Sequence, residues 1–174
     1  MDAAGNEEDH CRRTAETAFH LEPLMQSGSC RFGLWKVAVD YDHDTVYRVR
    51  FLKSAPEGPV PVQFTRFLAG KSSTFTPLIA AVLSEPGVYP AVYREVAAIP
   101  YGETRTYSEI AEAVGTHPRV VGNAMARNPT PLIIPCHRVV GIADIGGFSP
   151  DISIKKDLLT LEKRVKKQEL KQTP

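Results

Sequence analysis

The stretch NPTPLIIPCHRVVG, residues 128–141, limits what this chain can become more than any other. Leu132, Ile133 and Ile134 lead in and Val139 and Val140 lead out, an apolar pattern that reads as buried strand. Pro-Cys-His-Arg breaks that pattern in its middle. A histidine and an arginine inside a protein need partners, and a proline cannot continue a central ladder. The segment must therefore bend near Pro135 and present Cys136 at a special place. A thiol is a useful nucleophile only as thiolate, and its ordinary pKa is about 8.5. An imidazole oriented by a carboxylate would raise the thiolate fraction. His137 is adjacent, but neighbours on an extended chain point to opposite faces, so a bridging water is geometrically easier than a direct bond. Glu162, in the last helical stretch IKKDLLTLEKRVKK, is one carboxylate that can serve. On the residues alone a solvated helix charge is strongly the favoured reading of Glu162, and an isolated cysteine is more often plain core.

The stretch before it reads as helical. YPAVYREVAAIP puts Tyr89, Val92, Tyr93 and Val96 on one face, and Pro100 stops it. In YGETRTYSEIAEAVGTHPRVVGNAMARNP, Thr106 and Glu109 fit a capping box, and Tyr107, Ile110, Ala111 and Val114 make an apolar stripe. Gly115 ends that helix, and Pro118 opens another that runs to Asn128-Pro129. Two short helices around a tight turn outline a helix-turn-helix. The second exposes little bulk at Gly122, Ala124 and Ala126, with Arg119 and Arg127 near its ends. A glycine inside a helix costs about 1 kcal/mol, so Gly122 needs a reason. Tight helix packing is the bland one, and close approach to a nucleic-acid groove is the functional one.

The first half has a different pattern. FGLWKVAVDYDHDTVYRVRFL holds two apolar runs around an Asp-rich turn and predicts a hairpin over Leu34 to Leu52. APEGPVP is a loop, and Pro61 opens a short helix, VQFTRFLAG, ended by Gly70. The polar start, MDAAGNEED, lacks any period. With 43% hydrophobic and 24% charged residues the composition is that of a soluble globular chain. No stretch reaches the roughly 20 apolar residues of a membrane helix, and Met1 is followed by acidic and polar residues rather than a signal peptide. Three cysteines, Cys11, Cys30 and Cys136, make no disulfide framework and point to a reducing compartment. Residues 1–89 hold 9 Lys/Arg against 11 Asp/Glu, and residues 90–174 hold 12 against 9. The second half is the mildly basic one, as a DNA-binding part would be.

IPYGETRTYSEIA, NPTPLIIPCHRVVG and KKDLLTLE, in this order and spacing, resemble the O6-alkylguanine–DNA alkyltransferases (methylated-DNA–protein-cysteine methyltransferases). The resemblance covers residues 85–162, and QFTRFLAGKSSTFTP looks like that family's N-terminal-domain helix and linker. It implies an α+β chain of two domains. Residues 1–84 would be a ribonuclease-H-like α/β domain, and residues 85–174 a helical, winged-helix-like domain with the helix-turn-helix. The implied activity is direct-reversal repair: a single transfer of an alkyl group from guanine O6, with thymine O4 a further candidate, to Cys136. The alternative is a non-catalytic protein that binds alkylated DNA. Proteins of that kind carry another residue, typically tryptophan, where this chain has Cys136.

By the same resemblance Cys136, His137 and Glu162 form a relay through a water, Tyr107 donates to guanine N3, and Asn128 supports the active-site backbone. Arg119 is the finger that fills the space of a flipped base. Thr106, Gly122, Ala124, Arg127 and Arg138 contact DNA. Pro135, Val139, Phe148 and Ser149 line the pocket, and the Val139 carbonyl and Cys136 amide read the guanine edge. GGFSPDISIKK departs from the family's usual Gly-Gly-Tyr: Phe148 keeps an aromatic wall without a hydroxyl, while Pro150 and Asp151 replace smaller or aromatic residues. No cofactor is expected; some members carry a structural zinc, for which Cys11, Cys30 and the histidines offer no spacing. The expected partner is double-stranded DNA containing alkylated guanine, with no membrane, and the chain is expected to be a monomer. Localisation would be cytoplasmic in a prokaryote and nuclear in a eukaryote.

Overall fold

The computed structural model describes residues 25 to 172. The polar start and Cys11 lie outside that range. The fold is mixed α+β. Strands β1 (Gln26–Phe32), β2 (Trp35–Asp42) and β3 (Thr45–Leu52) form an antiparallel meander, and the short β4 (Ile79–Ala80) adds to β3 in parallel. The predicted hairpin is β2–β3, with Val37 opposite Phe51 and Val39 opposite Val49. Alternation along β2 sends Trp35, Val37, Val39 and Tyr41 into the interior. β1 was not expected. Its sequence, QSGSCRF, has no apolar alternation, and it is placed by pairing with β2 and by the approach of the 58–59 backbone: a Cβ on Gly28 would meet the Pro59 carbonyl oxygen at 1.9 Å.

Helix α1 (Val62–Leu68) begins after Pro61 as expected, and Phe64 and Phe67 from it are fully buried beneath the sheet. Helix α2 (Val88–Ala97) buries Val92, Tyr93 and Val96. The two-residue β5 (Arg105–Thr106) leads into α3 (Tyr107–Val114), where the Thr106–Glu109 capping box is complete. Gly115 takes the left-handed conformation at φ 72° that ends α3. Pro118 opens α4 (Pro118–Ala126). The chain closes with α5 (Ile152–Gln172). No helix among the described residues is long and apolar enough to cross a membrane.

Two apolar clusters organise these elements. One joins the sheet and α1 to Leu132 and to Ile154 and Leu158 of α5. The other joins α2, α3 and α4 to Ile134 and Val139. The 129–140 segment therefore runs along the seam, with Leu132 in one cluster and Ile134 in the other. It is not the strand that its apolar residues predict. Pro129, Pro131 and Pro135 remove backbone donors, Leu132 sits at φ 84°, and Cys136–Arg138 form one 3₁₀ turn. Only β6 (Val139–Val140) is extended, paired in parallel with β5. A hydrogen bond of 2.8 Å from Val49 N to the Pro129 carbonyl ties this segment to the sheet.

Candidate active site

Cys136 is held by the turn that follows Pro135. Its amide donates to the Ile134 carbonyl at 2.7 Å, and the Arg138 amide donates to the Pro135 carbonyl at 2.8 Å. Asn128, just past α4, pins the same loop: its side-chain nitrogen donates to the Ile134 carbonyl at 2.8 Å and its oxygen accepts from Thr130 N at 3.0 Å. Cys136 is 7% exposed. Burial pushes its thiol up, and the Asn128 amide and the Lys155 charge pull it partly back.

Behind the turn lies a closed charge cluster. Glu162 is fully buried, and its carboxylate accepts from His137 Nε2 at 2.7 Å, from Arg138 Nε at 3.0 Å and Nη2 at 2.9 Å, and from Gly102 N at 2.8 Å. Gly102 stands at φ 72°, and a Cβ there would meet the Lys166 side chain at 2.9 Å. Burial alone would raise the Glu162 carboxyl, but donation from His137 and Arg138 outweighs it and holds the group at about 2. Burial lowers His137 more than the Glu162 charge raises it. The pair is thus neutral imidazole against carboxylate. Because an ionised carboxylate only accepts, the His137 proton belongs on Nε2. That leaves Nδ1 as the basic atom, buried and with no partner in the protein.

Cys136 opens onto a cavity of about 550 Å³. Tyr107, Asn128, Phe148 and Ser149 line it with the cysteine, as does Gly122 of α4. Three wall residues come from the sheet: Arg50, Phe51 and Leu52 of β3, with Phe51 edge-on to Phe148 at 5.9 Å. Sequence reasoning missed these, and no local signal marks them. It also missed Met125 and Pro131; Pro131, not the expected Pro135, is at the wall. Val139 is buried in the helical cluster, and its carbonyl already accepts from Lys155 Nζ at 2.6 Å. The Cys136 amide, expected to read a base, has spent its one hydrogen on Ile134.

Two expected DNA contacts are turned inward. Arg138 is 6% exposed and clamps Glu162, with Nη1 on the Ile99 carbonyl at 2.7 Å, so it is not offered to a phosphate. Ala124 is fully buried among the helices, and its carbonyl accepts from Tyr93 Oη at 3.0 Å; it is small because it packs. Arg119 is exposed near the start of α4, and Arg127, also exposed, donates to Tyr89 Oη at 2.9 Å. Thr106 spends its hydroxyl on the Glu109 cap. Among the described residues no cluster of three or more His, Cys, Asp or Glu could hold a metal.

Gly122 resolves differently from Ala124. A Cβ there would meet nothing within 4 Å, so helix packing does not explain the glycine. Gly122→Ala is expected to raise Tm by roughly 2–4 °C, since about 1 kcal/mol of helix propensity is gained. The same methyl would stand at the cavity wall and weaken binding of a lesion-bearing duplex. A calorimetric melt and a titration with labelled duplex separate the two effects; unchanged affinity would remove the close-approach explanation.

The fold and site define a mixed α+β protein with a buried cysteine, followed by a histidine held on a buried glutamate, facing a cavity of about 550 Å³ beside two short capped helices. Residues 88–164 match the family model for the 6-O-methylguanine DNA methyltransferase DNA-binding domain. The methylated-DNA–protein-cysteine methyltransferase of Archaeoglobus fulgidus is 57% identical over 77 residues, which are 41% of this chain and 52% of that one. Its namesake from Metallosphaera sedula is 54% identical over 71 residues, 41% of this chain and 46% of that one. The matches thus span about half the length of these relatives. Among solved structures, Mycobacterium tuberculosis O6-methylguanine methyltransferase overlays with a TM-score of 0.68 at 27% identity, over 81% of this chain and 94% of that one. A structure of the same mycobacterial protein in complex with DNA gives 0.68 at 28%, over 80% and 93%. The enzyme from Pyrococcus kodakaraensis gives 0.63 at 26%, over 80% and 99%. The expected family resemblance is borne out.

Proposed function

We propose that the chain repairs O6-alkylguanine in DNA by a single, irreversible transfer of the alkyl group to Cys136. The observation that carries this is the basic, partnerless Nδ1 of His137, held by Glu162 next to a cysteine that faces a cavity roomy enough for a base. A water between Nδ1 and Sγ would take the thiol proton to the imidazole. The thiolate then attacks the alkyl carbon, the S–C bond forming as the C–O6 bond breaks and the electron pair passes to the guanine. Tyr107, whose hydroxyl burial keeps protonated, donates to the leaving base at N3. The thioether has no group placed to remove it, so each molecule acts once. O4-alkylthymine offers the same O-alkyl chemistry and is the finer extension of this reading.

A buried thiol cannot reach a base inside a duplex, so the nucleotide must be flipped at a few kcal/mol. Arg119, exposed at the start of α4, is the finger in this reading, with Gly122 and Arg127 on the helix that meets the minor groove. The partner is double-stranded DNA bearing the lesion, met by a monomer, which puts the protein with the chromosome. The mycobacterial relative's DNA complex supports DNA as the partner. In domain terms, the described residues up to 84 form a ribonuclease-H-like unit and those from 85 on a winged-helix-like unit; the separate sheet and helix clusters support this, although α5 packs on the sheet.

The test is intact mass after mixing with excess duplex holding one O6-methylguanine, followed by peptide mapping. One methyl per chain, on Cys136 and never more, is expected. Tight binding without mass gain would make the protein a damage binder instead.

A further inference from the structure

Lys155, in the first turn of α5, is fully buried. Its ammonium donates to the Val139 carbonyl at 2.6 Å and to the Gly147 carbonyl at 3.3 Å. Neither partner is charged. A buried cation whose hydrogen bonds go only to neutral carbonyls is costly, and a methionine of like size would fill the space more cheaply, so the charge has a use. The two carbonyls belong to the two segments that frame the cavity: Val139 follows the Cys136 turn, and Gly147 lies in the wall loop. The same ammonium would stand 3.4 Å from a Cβ on Gly146, which would also meet Tyr107 Oη at 2.9 Å. The ammonium and the tyrosine hydroxyl thus both lie against Gly146, and Tyr107 shares the cavity lining with Cys136.

We infer that Lys155 is the buried counter-charge of the Cys136 thiolate and the strap that fixes the wall loop against the cysteine turn, a positioning residue for the transfer. The inference rests on Cys136 being the nucleophile. The relay imidazole becomes a cation only when it takes the thiol proton, whereas the Lys155 ammonium is charged before that step as well as after it. Around Cys136 stand Tyr93 from α2, Tyr107 from α3, His137 from its own turn and Lys155 from α5, with Arg50 of β3 on the cavity wall; of the cations, Lys155 is the one whose charge acts on the thiol while His137 is neutral. Around Lys155 stand Cys136, His137 and, from the wall loop, Asp144. Burial draws the lysine down to about 8, while the charges of Cys136 and Asp144 hold it up. The ammonium is therefore present at neutral pH and is lost above that value, and while present it favours the thiolate.

The experiment is the single-turnover transfer rate against pH for the wild type, Lys155→Met and Lys155→Arg, with lesion affinity measured beside it. The neutral variant is expected to move the rising limb of the profile upward by about one pH unit, so that its rate is about tenfold low near pH 7 and recovers in alkali. Lys155→Arg keeps the charge and is expected to keep the limb in place, even at a lower plateau. A uniform fall at every pH in Lys155→Met would leave only the strap and overturn the counter-charge. A measurement on the unmutated protein does not depend on either variant folding. In carbon-labelled lysine spectra, Lys155 should titrate at lower pH after methylation, because the alkylated sulfur can no longer become the anion that holds the ammonium up; an unmoved titration also overturns the inference. If the wild type gains no methyl at all, the underlying reading fails instead.

Discussion

Glu162→Gln is expected to destabilise the protein by about 3–5 kcal/mol, the cost of breaking a buried ion pair from one side, and to lower Tm by roughly 10 °C. The carboxylate is the common acceptor for His137, Arg138 and Gly102. The amide presents one oxygen where two served, and its own NH₂ faces donors. Arg138 is then left as an uncompensated buried cation. The companion Glu162→Gln/Arg138→Met removes both charges and should recover much of the loss, because an apolar replacement of a whole buried pair is often neutral. The same link sets the acid response. The folded carboxyl titrates near 2 against an ordinary value of 4.5. Its stabilising contribution is therefore complete above about 4.5 and disappears as pH falls through 2. Melts across that range should show a steep acid loss in the wild type and a shallower one in Glu162→Gln. Chemistry should suffer too: an imidazole that is no longer held in the Nε2–H tautomer loses a general-base contribution of about 10²–10⁴ in transfer rate. Equal melts for wild type and variant would show that the cluster is not the anchor described.

Much of the helical part was legible because its signals are local. Thr106 with Glu109, Gly115 and Pro118 start and stop helices within a few residues of themselves, and the structure keeps all of those boundaries. β1 was illegible because its placement depends on Gly28 meeting the distant Pro59 backbone. Gly122 and Ala124 look alike in sequence, two small residues on one short helix. Only three dimensions separate the one with open space from the one packed in the core. The cavity wall contributed by β3 is non-local in the same way. Cys136, His137 and Glu162 were singled out from a chemical pattern and a family resemblance. Arg138 was expected to contact DNA and Lys155 was not singled out, and both are interior. A sign of this is available in α5: Ile154, Leu158, Leu161 and Val165 mark its buried stripe, and Lys155 and Glu162, seven apart, both border it. Charges beside such a stripe need partners, and here those partners are the site.

Cys136→Ser is expected to abolish methyl uptake while leaving lesion binding within a few-fold. A serine hydroxyl is a far weaker nucleophile than a thiol at its free pKa and needs an adjacent base held in register. In the proposed relay the base reaches Sγ only through a water, so little activation is expected. The site is enclosed, yet the hydroxyl can face the Asn128 amide that faces the thiol in the wild type. The cost in stability should therefore stay below the 1–3 kcal/mol or so of an unpaired buried polar group. Cys136→Ala removes the polar atom altogether and serves as the packing control. Both variants should hold a duplex containing O6-methylguanine without changing its mass or their own. If either gained a methyl, another residue would be the acceptor, and the relay of His137 and Glu162 would have to be assigned to something other than the thiol. If both lost binding along with transfer, the thiol would be part of the recognition surface and the mass result could not by itself separate recognition from chemistry. Binding kept and transfer lost is the outcome that ties the reaction to one sulfur atom.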